Sequence, residues 1–266
     1  MRVVILGGTG HLGTALRASA PPEARLTVMG RSASSADRFD VLSPTQLPEA
    51  DLIIGAFPLA RALQDRPDAP ALLARYIDVC ASARIVQLST DAVFSGRRGL
   101  YTEDDAPDPE TPYGRAQSLV DATLASARPD TLLVRTSFIF GSAAGRLDKR
   151  LAPFTSGARS ISEQLWASNV YRSPTEVNFL ANAIWRAIET NRSGVLNLCG
   201  QRLSIHEFFV KALSGLGFTE FPEPVEQEEL SGRDTSLDSS RMKQEIKMEE
   251  RENWEWFHRY RKELRD

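Results

Sequence analysis

The stretch Val3-Val4-Ile5-Leu6-Gly7-Gly8-Thr9-Gly10-His11-Leu12-Gly13 decides how the rest of the chain is read. Four consecutive apolar residues, three of them β-branched, suit a strand buried on both faces. Glycines at 7, 10 and 13 then open an apolar helical pattern from about Leu12 to Ala18. Between a strand and a helix, such glycines let the backbone approach a pyrophosphate, while the helix N-terminus presents unpaired N–H groups and a positive dipole end. The segment reads as a dinucleotide-binding loop contacted through Gly7, Thr9, Gly10, His11, Leu12 and Gly13. His11 is expected to be a packed or solvated member of that loop rather than a catalyst.

Working outward, Leu26 to Met29, Asp51 to Ala56, Arg84 to Leu88 and Thr131 to Arg135 have strand character, and Pro70 to Ala83 and Tyr113 to Ala127 helical spacing. This alternation predicts an α/β fold, a doubly wound parallel sheet of the Rossmann type. After Gly141 the rhythm changes. Residues 142–166 are loop-rich, Thr175 to Ile188 is helical, and Val195 to Leu198 is a strand. From Ser204 the chain is helical at both ends, around an acidic, proline-containing segment from Phe221 to Glu229. The expected division is a nucleotide-binding unit of residues 1–141 and 167–200. A smaller, discontinuous α/β substrate-binding region of residues 142–166 and 201–266 would pack over the sheet's carboxyl edge. Trp254, Trp256, Phe257 and Tyr260, interleaved with charges, predict an amphipathic helix docked on the domain, with a homodimer interface as the alternative.

Composition narrows the function classes. The 266 residues carry 32 Lys+Arg and 35 Asp+Glu, so no basic excess marks nucleic acid as a partner. A hydrophobic content of 42% is enough for real cores and excludes a disordered chain. No stretch approaches the roughly 20 apolar residues that span a bilayer, so no membrane role is expected. The N-terminus runs directly into the strand pattern, so no cleavable leader is expected. Cys80 and Cys199 lie far apart and fit no metal-ligand spacing. They read as buried free thiols in a reducing cytoplasm, with no metal site.

The second strand ends at Met29-Gly30-Arg31-Ser32. An acidic side chain at this place accepts the ribose hydroxyls of NAD, whereas Arg31, with the Ser32 hydroxyl beside it, suits a 2′-phosphate. NADP(H) is therefore the preferred cofactor, with NAD(H) still open. Asp40, expected after a further short strand, could accept from the adenine amine. Ala56, Phe57 and Ser89 complete the expected cofactor contacts.

Val86-Gln87-Leu88-Ser89-Thr90-Asp91-Ala92-Val93-Phe94 ends a strand with a hydroxyl and a carboxylate, and Pro112-Tyr113-Gly114 begins a helix. A hydroxyl and a phenol converging at the carboxyl edge can hold a carbonyl oxygen and protonate it as hydride arrives. With these blocks, Val134-Arg135-Thr136-Ser137, Arg172-Ser173-Pro174-Thr175, Asn197-Leu198-Cys199-Gly200 and Arg233-Asp234-Thr235-Ser236-Leu237-Asp238 follow in order. Over nearly its whole length the chain resembles the extended short-chain dehydrogenases/reductases, and within them the dTDP-4-dehydrorhamnose reductases. The resemblance implies that Thr90 hydrogen-bonds a substrate keto oxygen and that Tyr113 protonates it. It implies a sugar-nucleotide substrate contacted through Asp91, Ala92, Ser137, Arg172 and Arg233.

Two positions depart from the family. Its Tyr-x-x-x-Lys motif ends here in Gln117, one helical turn from Tyr113 and on the same face. The family's lysine holds the nicotinamide ribose and lowers the tyrosine pKa; Gln117 can bond a ribose hydroxyl but brings no charge. Arg115, two residues along the helix, points elsewhere. Ala92 stands where these reductases commonly carry a tyrosine, and where dehydratases carry a glutamate base. Three readings stay open: a keto-sugar-nucleotide reductase using Thr90, Tyr113 and Gln117; an NADP(H)-binding regulatory protein with little catalysis; and a reductase of another carbonyl compound.

Overall fold

Side chains alternate across the first strand: Val3 and Ile5 enter one buried layer, Val4 and Leu6 the other. The computed structural model describes residues 1–31, 37–228 and 233–263. In chain order its elements begin with β1 (Arg2–Leu6), α1 (His11–Ala18), β2 (Arg25–Met29), β3 (Leu52–Gly55), α2 (Leu59–Leu63), α3 (Ala69–Val79) and β4 (Arg84–Thr90). They continue with α4 (Pro112–Ala127), β5 (Leu132–Thr136), β6 (Ile139–Phe140), β7 (Ser142–Ala143), β8 (Arg146–Leu147), α5 (Ala152–Thr155), β9 (Tyr171–Arg172) and β10 (Thr175–Glu176). The last are α6 (Val177–Glu189), β11 (Gly194–Asn197), β12 (Leu203–Ser204), α7 (Ile205–Gly215), α8 (Ser240–Ile246) and α9 (Glu252–Glu263).

Six strands form one parallel sheet in the order β2-β1-β3-β4-β5-β11, with Val4 between Thr27 and Ile53, and Thr90 opposite Thr136. The chain leaves β1 for β2 on one side and then crosses to β3 on the other. A crevice therefore opens at the carboxyl ends of β1 and β3, the place where doubly wound sheets bind ligands. On one face, Val3, Ile5, Ile54, Val86 and Val134 pack beneath α1, α6 and α8; Trp185 of α6 satisfies its buried indole on the Leu16 carbonyl at 3.0 Å. On the other, Val4, Leu6, Ile53, Ile85 and Leu133 pack beneath α2, α3 and α4.

A separate aromatic cluster joins the later segments: Phe140, Phe154, Trp166, Phe208, Trp254 and Phe257 are all buried. The C-terminal helix α9 docks through Trp254 and Phe257, as its pattern predicts; the side chains of Trp256 and Tyr260 lie outside the described part. Asn253 pins the same helix, accepting from the Glu176 N–H at 2.6 Å and donating to the Pro174 carbonyl at 3.1 Å. Cys80 and Cys199 are buried and free. Among the described residues no helix is long and apolar enough to cross a membrane, and no group of three or more side chains could hold a metal ion.

Two local expectations are corrected. The short strand expected before Asp40 is absent among the described residues: a single bridge joins Gly30 to Arg38, and a turn from Asp40 to Ser43, followed by Pro44, ends the pairing. Helix α3 stops at Val79 instead of Ala83. Arg128, just past the end of α4, donates to the Cys80 and Ala83 carbonyls at 3.1 and 2.7 Å and so takes up the acceptors that a longer helix would use.

Candidate active site

At the end of β1 the chain turns on Gly7, which has φ +79°, in the left-handed region that glycine adopts without strain. The Gly7 and Gly8 N–H groups donate to the Met29 carbonyl at 2.8 and 3.1 Å, so the loop is tied to the end of β2. A Cβ on Gly13 would lie 2.4 Å from both the Gly7 oxygen and the Gly8 Cα. Only glycine lets α1 begin this close to the strand. A Cβ on Gly7 would meet the Ala56 oxygen and Phe57 Cβ at 3.0 Å, so the end of β3 closes on the loop. Gly7, Gly10, Gly13, Ala56 and Phe57 thus come together in the crevice, with Thr9 against Gly30 and Leu12 buried beneath. The backbone that Gly7, Gly10 and Gly13 leave without Cβ atoms at the start of α1 fits a pyrophosphate.

Arg31 is exposed just beyond β2; Ser32 lies outside the described residues. Asp40 closes the following turn, accepting from the Leu42 N–H at 3.0 Å. His11, at the first position of α1, has a buried Nε2 with no hydrogen-bond partner among the described residues. Burial lowers its pKa, with the charges of Asp148, Arg146 and Arg150 nearby.

The second group stands at the end of β4. Gly114 allows it: a Cβ there would lie 2.0 Å from the Ala92 carbonyl oxygen, so α4 starts directly against residues 91–93. The Thr111 hydroxyl caps α4 by accepting from the Gly114 N–H at 3.0 Å. Tyr113, on the first turn of α4, is thereby brought into the neighbourhood of Thr90. Burial raises the Tyr113 pKa, the charges of Asp91 and Asp121 add to that rise, and Arg61 and the Thr90 hydroxyl oppose it.

Asp91 is buried and accepts from Thr90 at 3.1 Å, Ser137 at 2.7 Å and Thr235 at 2.9 Å. It ties the ends of β4 and β5 to the 233–239 segment, so Asp91 and Ser137 face each other. Ala92 is half-buried, its N–H donating to the Thr90 hydroxyl at 3.2 Å.

Gln117 is 1% exposed, and its Nε2 donates to Asp121 Oδ1 at 2.8 Å. The other Asp121 oxygen accepts from the Ser89 hydroxyl at 2.5 Å. Burial raises the Asp121 pKa against these two hydrogen bonds. The buried Arg135 lies close enough for its charge to favour the carboxylate, with its guanidinium 4.9 Å from the centre of the Phe94 ring. Two of its nitrogens have no hydrogen-bond partner among the described residues.

Arg172 and Arg233 are placed differently. Arg172 folds back, donating to the Tyr171 and Arg233 carbonyls at 2.6 and 3.4 Å. Arg233 lines a cleft of about 470 Å³ with Gly96, Arg97, Arg98, Tyr171, Arg202 and Asp234. Arg202 stacks on Tyr171 at 3.5 Å and pairs with Asp234 at 2.7 Å.

The family model described as the RmlD substrate binding domain matches residues 60–263. The chain belongs to the RmlD substrate-binding-domain family. The match covers Thr90, Tyr113 and the arginine cleft, while the glycine loop at residues 7–13 precedes it. The dTDP-4-dehydrorhamnose reductase of Sinorhizobium fredii is 28% identical over 179 residues, 62% of this chain and 60% of that protein. The aligned part thus spans less than two thirds of that relative. Among solved structures, a hypothetical dTDP-4-dehydrorhamnose reductase from Sulfolobus tokodaii is 25% identical, with a TM-score of 0.71 over 92% of this chain and 94% of its own. The dTDP-4-dehydrorhamnose reductase of Bacillus anthracis, in complex with NADP, is 22% identical, with a TM-score of 0.71 over 89% of this chain and 88% of its own. These likenesses make this RmlD family member dTDP-4-dehydrorhamnose reductase-like, with the extended short-chain dehydrogenase/reductase fold.

Several residues of the site escape sequence reasoning. Asp121 had a signal, since 113, 117 and 121 recur at helical spacing. Arg135 had one too: a charge inside Leu132–Thr136, a strand buried throughout. Arg61 had none, because an exposed arginine on a five-residue helix leaves no pattern.

Proposed function

We propose that this protein is an NADP(H)-dependent reductase of a keto group on a nucleotide-activated deoxysugar. The observation that carries this is the placement of Thr90 at the carboxyl end of β4, two strands from the glycine loop, with Tyr113 on the first turn of α4, which Gly114 seats against Ala92. The NADP bound by the Bacillus anthracis protein and the exposed Arg31 after β2 support NADP(H) as the cofactor. When bound, it supplies the hydride. Gly7, Gly10 and Gly13 would hold its pyrophosphate against the start of α1, and Arg31 its 2′-phosphate.

Thr90 would donate to the substrate keto oxygen and so polarise the carbonyl. Tyr113 would then transfer its proton to that oxygen as negative charge develops, leaving a phenolate that solvent reprotonates. The high phenol pKa keeps Tyr113 protonated at neutral pH, the state this direction requires. Residues 142–166 and 201–266 would form the substrate side, with Arg97, Arg98, Arg202 and Arg233 lining the cleft that would take a diphosphate.

The test is NADPH oxidation by the purified protein, with dTDP-4-keto-6-deoxy sugars supplied, beside Tyr113→Phe. Turnover that is lost in Tyr113→Phe while NADPH binding persists is the expected result. Tight NADPH binding with no turnover on any keto-sugar nucleotide would overturn it. That outcome would favour an NADP(H)-binding protein of regulatory role, a reading favoured by the amide of Gln117 resting on Asp121 where the family has a cation.

A further inference from the structure

The Tyr113 corner contains two carboxylates, Asp91 and Asp121, and no lysine at position 117. A phenolate formed there is therefore left against two negative neighbours unless a cation stands elsewhere. Two nearby arginines are turned away. Arg115 donates to the Glu110 carbonyl at 2.7 Å, and Arg135 stacks on Phe94 in the neighbourhood of Asp121.

Arg61 is placed differently. Leu59, Ala60 and Leu63 bury one side of α2 in the layer that also receives Tyr113 and the α4 residues Val120 and Leu124. That packing puts Arg61 on the opposite, exposed side, with its guanidinium carbon 5.0 Å from the centre of the Tyr113 ring. Among the described residues it makes no ion pair, so no carboxylate neutralises it. A guanidinium over a phenol ring is attracted by the ring face and holds its orientation. The same charge favours the phenolate over the phenol.

We propose that Arg61 supplies to Tyr113 the positive charge that position 117 lacks, and acts as a positioning residue for the proton donor. The inference rests on the reductase reading for its role in turnover. The groups facing Tyr113 are Thr90 from β4, Asp91 from the segment after it, Asp121 from α4 itself and Arg61 from α2. Burial and the two carboxylates raise the phenol pKa, and Arg61 is the charge that lowers it.

The test replaces Tyr113 with 3,5-difluorotyrosine, whose phenol ionises nearer neutrality, and follows its titration by fluorine NMR in the full chain without substrate. Arg61→Gln is expected to raise the midpoint by about one pH unit, a tenfold change in the ionisation ratio. Arg61→Lys, which keeps the charge, is expected to restore most of that shift. A midpoint unmoved by Arg61→Gln, or raised equally by Arg61→Lys, would overturn the proposal. Because the midpoint is read without turnover, an inactive natural protein would count against the reductase reading and leave this inference standing.

Discussion

At the end of β1, Gly7, Gly10 and Gly13 clear space by lacking side chains, whereas at the end of β4, Thr90, Asp91, Tyr113, Gln117 and Asp121 fill it. Both places lie on one sheet edge. In the first, a Cβ added at Gly13 would stand 2.4 Å from backbone atoms that cannot move aside cheaply. In the second, partners are held by hydrogen bonds and charge, and a charge delivered from another element can serve the same phenol. A site made of backbone geometry is intolerant of added atoms and indifferent to pH. A site made of buried polar groups is the reverse.

The sharpest way to separate the two is Tyr113→Phe. It is expected to lower turnover about 10²- to 10⁴-fold while leaving NADPH affinity within about twofold, read by initial rates and by fluorescence titration. If NADPH affinity falls as far as turnover, the two regions do not act separately.

Glu176 tests the pH side of the comparison. It caps α6 by accepting from the Asn178 and Phe179 N–H groups at 2.8 Å, and burial pushes its pKa from 4.5 up to about 7. A carboxyl whose pKa is higher folded than unfolded holds its proton more tightly in the native state. Stability is therefore expected to fall as pH rises from about 4.5 to 7, by up to about 3 kcal/mol. Urea unfolding across that window checks this, and Glu176→Gln should flatten the slope.

Gly13→Ala probes the backbone side. Its expected cost is about 1–3 kcal/mol of stability, with weakened NADPH binding and no change in pH dependence, measured by urea unfolding and NADPH titration. The smallest effect is expected for Gln117→Lys. The new ammonium would pair with Asp121, where the Gln117 amide now sits at 2.8 Å, and Arg61 would already serve Tyr113. Turnover should change by less than about tenfold, about 1.4 kcal/mol. A larger gain would return the missing charge to position 117 and sharpen the contrast in the other direction.

The legibility of these regions differs for the same reason. Strands such as β1 and β5 announce themselves because both faces of the sheet are buried and residues 3–6 and 132–134 are apolar at every position. The glycine loop is legible because its physics lies in residue type and spacing. The Gln117–Asp121–Ser89 chain joins α4 to β4, and its far member lies 32 residues from Asp121, so spacing reveals only the half within the helix. Arg61 reaches Tyr113 solely through the packing of α2 on α4, which no local pattern encodes. The strand expected before Asp40 failed because an apolar pair, Phe39 and Val41, is buried by a turn as well as by a strand.

The two hydrogen bonds of Asn253 to Glu176 and Pro174 also set an order of events during synthesis. The backbone that leads into α6 leaves the ribosome well before residue 253. The sheet and its first helices can therefore assemble early, while the Glu176 N–H waits for a side chain translated 77 residues later. Until that helix is released, Phe140 lacks the rings of Trp254 and Phe257 that pack against it, and a shortened product would leave that aromatic surface open.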